Sequence, residues 1–415
     1  MQFTVTDGTT PININYPDLE YITANAFSKA NSQLIEKVNG LKNKSDPIYV
    51  SRHLHQIPKK WIGIQTSSYT TNGDQHQVDV FGFDESLLDY IADQVDGNPE
   101  MIIPIVEDMI DNGPTFQKLI DVAAAYDKTN DTNIAKRLRL FTVYAKDRPE
   151  AYRKLQNDGL VETIHELDPD LWAVFPHEIS DWGIPNYIDL EGNVLEIEDG
   201  EPIPKSVIKL STKHKLDLYE KLIIGKKGGK QIFDILFGEN PNLNPENEKE
   251  QNSEEWLAME SFKFARKMYD SMKAEEKFNP KMIVSLSPGD YSEHGASSLY
   301  IHEAFKALEQ YYAIKEERPA RKIRHTVMRT NDGITNMNLS CVPVDSLLGT
   351  RDEIKGYMED EIDVLMVGNY FAKDDRVSKN AKGILRAYGC NLRFASFQKS
   401  ASLKKNVDYF HIKSL

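Results

Sequence analysis

Two polar loops in the last third of the chain carry residue types that bind anions. The first, Ser285–Ser298, is rich in serine and glycine and leads into a helical pattern at Ser297 or Ser298. The second, Gly368–Ser378, reads GNYFAKDDRVS and also leads into a helical pattern. Backbone N–H groups at a helix N-terminus attract anions, so both loops are candidate phosphate sites. Both exceed the usual strand-to-helix connection in length, which is typical of functional loops, although simple connections are the alternative.

The elements that must position these loops follow a regular pattern. Apolar runs at Met282–Leu286, Asp363–Val367 and Leu392–Phe397 predict buried strands, and Lys322–Arg329 is a further candidate. The spacing over Ser378–Tyr388 predicts a crossover helix that ends at a glycine. Strands with continuous apolar runs, joined by helices, are typical of parallel sheets. We therefore predict a C-terminal α/β domain over residues 256–415, with a mostly parallel sheet.

The sequence before this domain shows a different pattern. Residues 1–50 are rich in asparagine and threonine and predict an arm or small subdomain, and residues 239–255 predict a polar linker. The region 51–240 is acidic and predicts an α+β arrangement. Within it, four segments show apolar residues at three- and four-residue spacing, which predicts helices: ESLLDYIADQV (85–95), PEMIIPIVEDMI (99–110), FQKLIDVAAAY (116–126, after Pro114) and TNIAKRLRLFTVYAK (132–146). No internal repeat is visible in the sequence.

Charge is unevenly distributed along the chain. The net charge of −14 argues against wrapping by nucleic acid, but residues 281–415 hold 20 basic and 17 acidic residues. The segment 376–415 alone carries nine basic residues and one acidic residue. A local positive field on an acidic protein suits a small anion such as a phosphate ester, and a solvated basic surface is the alternative.

The cysteine content and the apolar segments of the chain bear on its compartment and on membrane association. Two cysteines, Cys341 and Cys390, are too few for a disulfide framework, which favours an intracellular, cytoplasmic location. The N-terminal residues lack the basic and apolar segments of a secretory signal, and no run is long enough to cross a bilayer. We therefore expect no membrane partner.

The C-terminal residues resemble a known enzyme family. MIVSLSPGDYSEHGASSLYIHEAFKAL (282–308) resembles the first signature of the type I phosphoribosyltransferases, in which a buried strand ends in a pyrophosphate-binding loop. DVLMVGNYFAKDDRVSKNAKGILRAYGCNLRFASF (363–397) resembles the family's ribose-phosphate motif, V-L-L-V-D-D-x-x-T-T-G-x-T. The resemblance covers about 130 residues. It implies a protein that binds a phosphorylated ribose compound, with Mg²⁺ as cofactor.

The resemblance also implies roles for individual residues. The phosphate-binding candidates are Ser297, Ser298, Lys373, Arg376 and Ser378. The catalytic candidates are Asp374 and Asp375, and the metal candidates are Asp290 and Asp374. Gly368 and Asn369 stand where the family has the paired acids that hold the ribose hydroxyls. We therefore expect a divergent protein in which turnover is slow or absent.

Two alternatives remain open at the level of sequence. The turn Gly225–Lys230 (GKKGGK) resembles the G-x-x-G loop of KH modules, so a nucleic-acid contact there is an alternative to a lysine-rich corner between helices. The asparagine-rich arm and the acidic body also fit a non-enzymatic structural or assembly protein of virus type, acting in a host cytoplasm. A homo-oligomer is compatible with either function.

Overall fold

A computed structural model shows two five-stranded parallel sheets, one in each half of the chain. The structure describes residues 1–9, 11–50, 58, 61–67, 79–111, 113–148, 152–175, 178, 183–195, 197, 203–226, 228–239, 254–275, 278–287, 297–321, 323–329, 363–368, 386, 390–399 and 409–413.

The elements of the first half are short strands and six helices. The strands are β1 (Gln2–Thr6), β2 (Pro11–Asn15), β3 (Leu19–Tyr21), β4 (Ile48–Tyr49), β5 (Ile62–Gly63), β6 (Gln65–Ser67), β7 (Asp79–Phe81), β8 (Ile103–Ile110), β9 (Leu138–Lys146), β10 (Val161–Leu167), β11 (Trp172–Val174), β12 (Tyr187–Ile188), β13 (Val194–Leu195) and β14 (Ile208–Lys209). The helices are α1 (Ala24–Asn39), α2 (Glu85–Val95), α3 (Pro114–Asn130), α4 (Lys154–Asn157), α5 (Thr212–Ile224) and α6 (Gly229–Phe237).

The second half contains fewer and longer elements. Its strands are β15 (Met282–Ser287), β16 (Arg324–Arg329), β17 (Asp363–Gly368), β18 (Asn391–Lys399) and β19 (Tyr409–Lys413). Its helices are α7 (Glu254–Glu275) and α8 (Ser297–Lys315). These two helices pack together with α5 and α6, and their apolar faces form the largest described core, which reaches β15 and β17 through Ile283 and Leu365.

The first sheet has the strand order β10-β9-β8-β4-β5, and every neighbouring pair in it is parallel. The expectation of an α+β arrangement for this region is therefore wrong. Helices α3 and α4 connect successive parallel strands, as parallel pairing requires. Antiparallel pairing in the described residues is confined to the small sheets β1–β2, β6–β7 and β12–β13–β14.

Two predicted helices in this region are strands. Residues 103–110 form β8 and residues 138–146 form β9, and nearly all of β9 is buried. A central strand of a parallel sheet is covered on both faces, so its apolar run does not alternate and resembles a buried helix. The helices expected at 85–95 and after Pro114 are confirmed as α2 and α3. Asp84 caps α2, since its carboxylate accepts from the Leu87 N–H at 3.2 Å.

The second sheet has the order β16-β15-β17-β18-β19, again with parallel neighbours throughout. This confirms the mostly parallel C-terminal sheet, including the adjacency of the strands predicted at 282–286, 363–367 and 392–397. The strand predicted near 322–329 is confirmed as β16. The crossover helix predicted over Ser378–Tyr388 lies outside the described residues except for residue 386.

The two sheets share one topology. In each of them, the strand that comes first in the chain lies between the second and the third, and the fourth and fifth follow outward. The second strand is thus added on one side of the first, and the third, fourth and fifth on the other side. Where the direction reverses, a crevice opens at the carboxyl ends of the two central strands. Those central strands are β4 and β8 in the first sheet and β15 and β17 in the second. This repetition is not visible in the sequence.

Candidate functional site

Two acidic residues lie near the carboxyl end of β8, on the crevice of the first sheet. Glu107 and Asp108 occupy the second half of this strand, and both are partly buried. Burial, together with the charge of Asp108, raises the pKa of Glu107 to about 8. The pair therefore holds less negative charge near neutral pH than two ordinary carboxylates would.

A tight turn joins this acid pair to a helix. Gly113 has a left-handed backbone with φ of +73°, and Pro114 follows as the first residue of α3. Proline suits this position because its missing N–H would have no partner in the first turn. The N-terminus of the 17-residue helix α3 therefore faces the edge of the sheet where β8 ends. Its N–H groups and dipole favour a negatively charged group there.

The residues of β8 and this turn carry the family motif quoted above. IPIVEDMIDNGPT (103–115) follows V-L-L-V-D-D-x-x-T-T-G-x-T position by position. The positions that agree in type beyond the apolar strand are Glu107, Asp108, Gly113 and Thr115. Asp111 and Asn112 replace the two threonines; Asn112 lies outside the described residues. The N-terminal half therefore also resembles this motif, in addition to the C-terminal residues for which it is quoted above.

Two cations converge on the carboxylate of Asp111. Lys146, the last residue of β9, places its Nζ 3.2 Å from Asp111 Oδ2, and Arg148 places its Nε 2.6 Å from Oδ1. The pairing register explains this contact, because Ile110 lies opposite Ala145 and the next residues of both strands are therefore level. The Lys146 side chain is only 9% exposed. Two positive charges on one acid leave a net positive patch beside the turn.

An exposed aromatic ring completes the cluster. Trp172 opens β11 and is 49% exposed, whereas the next two residues of this strand are buried. Its ring centre lies 5.9 Å from Lys146 Nζ, within the range of a cation–π contact. A large, exposed indole beside a nearly buried ammonium is a surface on which a planar ring can stack. Lys146 can donate hydrogen bonds to such a ring but cannot accept them.

The residues predicted from sequence lie in the second half. Ser297 and Ser298 begin α8, as expected. The remaining predicted residues lie outside the described residues: Asp290, Lys373, Asp374, Asp375, Arg376 and Ser378. The two loops that carry them begin side by side, because Leu286 of β15 pairs with Gly368 of β17. The assignment of these side chains to phosphate, metal or catalysis stays a prediction.

Two groups of the first half are not predicted from the sequence. They are the acid pair Glu107 and Asp108, and the contacting residues Asp111, Lys146 and Trp172. The motif quoted for residues 363–397 fits residues 103–115 better, and this is a usable signal. It has meaning only where a strand meets a helix N-terminus, and the prediction of a helix over 99–110 conceals that junction.

The described residues contain no group of three or more histidine, cysteine or acidic side chains that could hold a metal ion. A dedicated protein site is not needed for Mg²⁺, which retains waters and uses phosphate oxygens of its ligand. Asp108 can supply the one carboxylate ligand that such a site needs. No helix in the described part of the chain is long and apolar enough to cross a bilayer.

Comparison with known proteins gives matches among solved structures alone. No protein-family model matches the chain, and no curated protein matches it. The matching structures include phosphoribosyltransferases. A purine phosphoribosyltransferase from Pyrococcus horikoshii matches at 20% identity and a TM-score of 0.24, over 38% of this chain and 93% of its own. A xanthine-guanine-hypoxanthine phosphoribosyltransferase from Helicobacter pylori matches at 14% identity and a TM-score of 0.23, over 38% and 91%.

A third match is a hypothetical protein from Neisseria gonorrhoeae with bound ppGpp. It is 14% identical with a TM-score of 0.26, over 39% of this chain and 90% of its own. Two of these three proteins are phosphoribosyltransferases by description. No residue role in this chain follows from these matches.

Proposed function

We propose that the first half of the chain binds a phosphorylated ribose compound with Mg²⁺ at the carboxyl edge of its parallel sheet. The observation that carries the proposal is the order of groups along β8 and α3. An acid pair, a glycine turn and a helix N-terminus follow one another within Glu107–Thr115. The acids suit the ribose hydroxyls and the cation, and the helix N-terminus suits the 5′-phosphate.

The neighbouring groups favour a ligand that also carries a base. Trp172 offers an exposed ring for stacking, and Lys146 beside it is a pure hydrogen-bond donor. A donor at this place favours a base with a ring carbonyl oxygen, as in guanine or hypoxanthine, over one that presents an amino group. The most specific form of the proposal is therefore phosphoribosyl transfer to, or from, an oxo-purine.

The chemical demand of that reaction matches these groups. Departure of pyrophosphate leaves an oxocarbenium-like ribose, so the protein must hold both reactants in line and stabilise separated charges. Bound Mg²⁺ would neutralise the leaving pyrophosphate. Asp108 and Glu107 would fix the ribose, while Lys146 and Trp172 would fix the base. Because Glu107 releases its proton only at about pH 8, ligand binding near neutral pH would displace a proton from it.

Binding and turnover are tested separately. Calorimetry with phosphoribosyl pyrophosphate and guanosine 5′-monophosphate, each with Mg²⁺, should show binding by the wild-type chain. Asp108→Asn should weaken it by roughly tenfold or more, the scale of a lost charge-assisted contact. Formation of nucleotide from phosphoribosyl pyrophosphate and guanine reports turnover.

A variant in the other half locates the site. Arg376→Glu should leave binding unchanged if the ligand lies in the first half, and should abolish it if the C-terminal loops form the site. Binding lost with Arg376→Glu and retained with Asp108→Asn would overturn this proposal in favour of the C-terminal prediction. Absence of binding by the wild-type chain would overturn both and favour the structural or assembly alternative.

A further inference from the structure

The ring proposed to meet the base stands at the start of a short strand. Trp172 is the first residue of β11, which, among the described residues, pairs over three residues with β3 and with no strand of either five-stranded sheet. Burial of Ala173, Val174 and Phe175 in the cores of the first half anchors the strand beyond Trp172. The exposed indole lies at the end of this segment, so polar contacts beside the strand also set where it meets Lys146.

Lys226 contacts two backbone carbonyls just beyond β11. Lys226 Nζ donates to the carbonyl oxygen of Glu178 at 3.0 Å and, more weakly, to that of Phe175 at 3.4 Å. The Glu178 carboxylate in turn accepts from the Phe175 N–H at 3.1 Å. Phe175 is buried and packs edge-on against Phe27 of α1, with 5.5 Å between ring centres. The ammonium thus holds the Phe175 and Glu178 carbonyls, just beyond the strand that carries Trp172.

This lysine belongs to the glycine-rich turn between α5 and α6. The Lys226 N–H donates to the Ile223 carbonyl at 3.1 Å, and the Lys226 carbonyl accepts from the Gly229 N–H at 2.8 Å. Both ends of the turn are therefore anchored to helices. Ile232 and Ile235 of α6 are buried in the core shared with α7, α8 and the second sheet. The turn stands between that core and the segment that carries Trp172.

A second contact joins the same two regions. The Tyr21 hydroxyl, at the end of β3, donates to the Leu222 carbonyl of α5 at 3.0 Å. Because β3 is the pairing partner of β11, the α5–α6 corner holds this small sheet from both sides. The contacts are to backbone carbonyls, so they fix the position of the strands whatever the neighbouring side chains are.

We propose that Lys226 is a positioning residue for base recognition, through which the core of the second half sets the position of Trp172. This inference rests on the proposed function of the first half. It also gives the GKKGGK turn a role other than nucleic-acid contact. Loss of the ammonium should release Trp172 while leaving the acid pair and the α3 N-terminus in place. Affinity for the base should therefore fall, and affinity for the phosphoribosyl group should not.

The test compares two ligands and three variants of the full chain. Lys226→Met keeps the aliphatic stem and removes the donor, and Lys226→Arg restores a donor. Lys230→Met is the matched control, since Lys230 lies in the same turn region but pairs with Asp234 within α6. We expect Lys226→Met to weaken guanosine 5′-monophosphate binding by about tenfold. Phosphoribosyl pyrophosphate, which lacks a base, should bind within about twofold of wild type, and Lys226→Arg should recover most of the loss.

Hydrogen exchange gives a readout that needs no ligand. Amides of residues 173–175 should exchange faster in Lys226→Met than in Lys230→Met, with exchange in β8 unchanged. The inference is overturned if the two methionine variants behave alike, or if Lys226→Met weakens both ligands equally. It is also overturned if wild-type protein binds phosphoribosyl pyrophosphate but not the nucleotide. Failure of wild-type protein to bind either ligand would instead refute the proposed function, on which the inference depends.

Discussion

Lys146 and Asp111 form an ion pair across the carboxyl ends of two neighbouring parallel strands, with 3.2 Å between Nζ and Oδ2. The lysine side chain is 9% exposed and the aspartate 37%. A nearly buried ammonium requires a partner, because an unpaired charge out of water is costly. The pair therefore joins two proposed parts of the site: Asp111 lies in the turn that would hold a phosphate, and Lys146 lies beside the ring that would hold a base.

This coupling can be measured by a double-mutant cycle. Lys146→Met and Asp111→Asn, singly and together, should show an interaction free energy of roughly 1 kcal/mol in urea unfolding. Arg148 stays near Asp111 in the lysine variant and limits the cost. The exposed pair Lys230–Asp234, one helical turn apart, is the control and should couple by only about 0.3 kcal/mol. Equal coupling in the two pairs would show that the burial of Lys146 has no energetic effect.

Glu107 should make stability depend on pH. Its pKa is about 8 in the folded chain, against 4.5 for an ordinary glutamate. Between these values the folded chain keeps a proton that the unfolded chain releases. This contribution is therefore fully present below pH 4.5 and is lost as the pH rises through 8. The slope for one group is at most about 1.4 kcal/mol per pH unit.

Glu107→Gln removes this titration. Urea unfolding of wild type between pH 5 and pH 8 should show stability that falls with pH, and the variant should show a flatter profile. Glu100→Gln, at an exposed position, should keep the wild-type profile. Parallel profiles for wild type and Glu107→Gln would show that the carboxyl is ionised throughout.

The fold was predictable from sequence where the pattern of apolar residues fits only a strand or only a helix. The strands β15, β17 and β18 were found because short apolar runs alternate with polar loops and long helices. The strands β8 and β9 were not, because a strand buried on both faces has no period of two, and charged residues at its end imitate the polar face of a helix. Pro104 is a signal against the helix, since a proline in a helix interior removes a hydrogen bond and clashes with the preceding turn.

The site was not predictable for a related reason. Its residues come from β8 and the position after it, from β9 and from β11, and at least 25 residues separate β9 from β11. The order of the first sheet brings Asp111 and Lys146 together, whereas Trp172 comes from a separate two-stranded sheet. Once 103–110 is interpreted as a helix, Glu107 and Asp108 lose their place at a strand end. Trp172 gave no signal at all, because nothing in its neighbours distinguishes an exposed indole from a buried one.

Glu309 should be a main electrostatic support of the second half. It is 1% exposed and contacts Arg318 Nη1 and Arg321 Nη2 at 2.5 Å each. Burial would raise the pKa of Glu309, but hydrogen bonds from Arg321 and Arg318 outweigh this and hold the pKa at about 2. The carboxylate form is thus favoured in the folded chain. Its contribution to stability is present above pH 4.5 and is lost as the pH falls towards 2.

Glu309→Gln should lower the free energy of unfolding by roughly 2–4 kcal/mol at pH 7, because it leaves two arginines without their shared acid. Glu316→Gln is the matched control. Glu316 also contacts Arg318, at 2.8 Å, but it is 40% exposed, so its loss should cost less than about 1 kcal/mol. Urea unfolding at pH 7 and pH 4 measures both. A similar cost for the two variants would contradict the role of burial.

The turn at Gly113 allows backbone strain and ligand binding to be separated. Gly113 has φ of +73°, and a Cβ there would meet Ile110 Cδ1 at 3.5 Å, which is ordinary contact. Gly113→Ala should therefore cost only the strain of a left-handed alanine, about 1 kcal/mol. Gly159→Ala should cost about the same, since Gly159 has φ of +67° and open space around it.

Ligand binding should distinguish these two glycine variants. The turn around Gly113 leads into the α3 N-terminus, where the phosphate is proposed to bind, whereas Gly159 lies between α4 and β10. Because relief of the left-handed strain at position 113 would move the first N–H groups of α3, Gly113→Ala should weaken phosphoribosyl pyrophosphate binding by about tenfold. Gly159→Ala should leave it unchanged. Urea unfolding should first show equal losses of stability in the two variants, and calorimetry then measures their binding. Unchanged binding in Gly113→Ala would place the phosphate elsewhere in the protein.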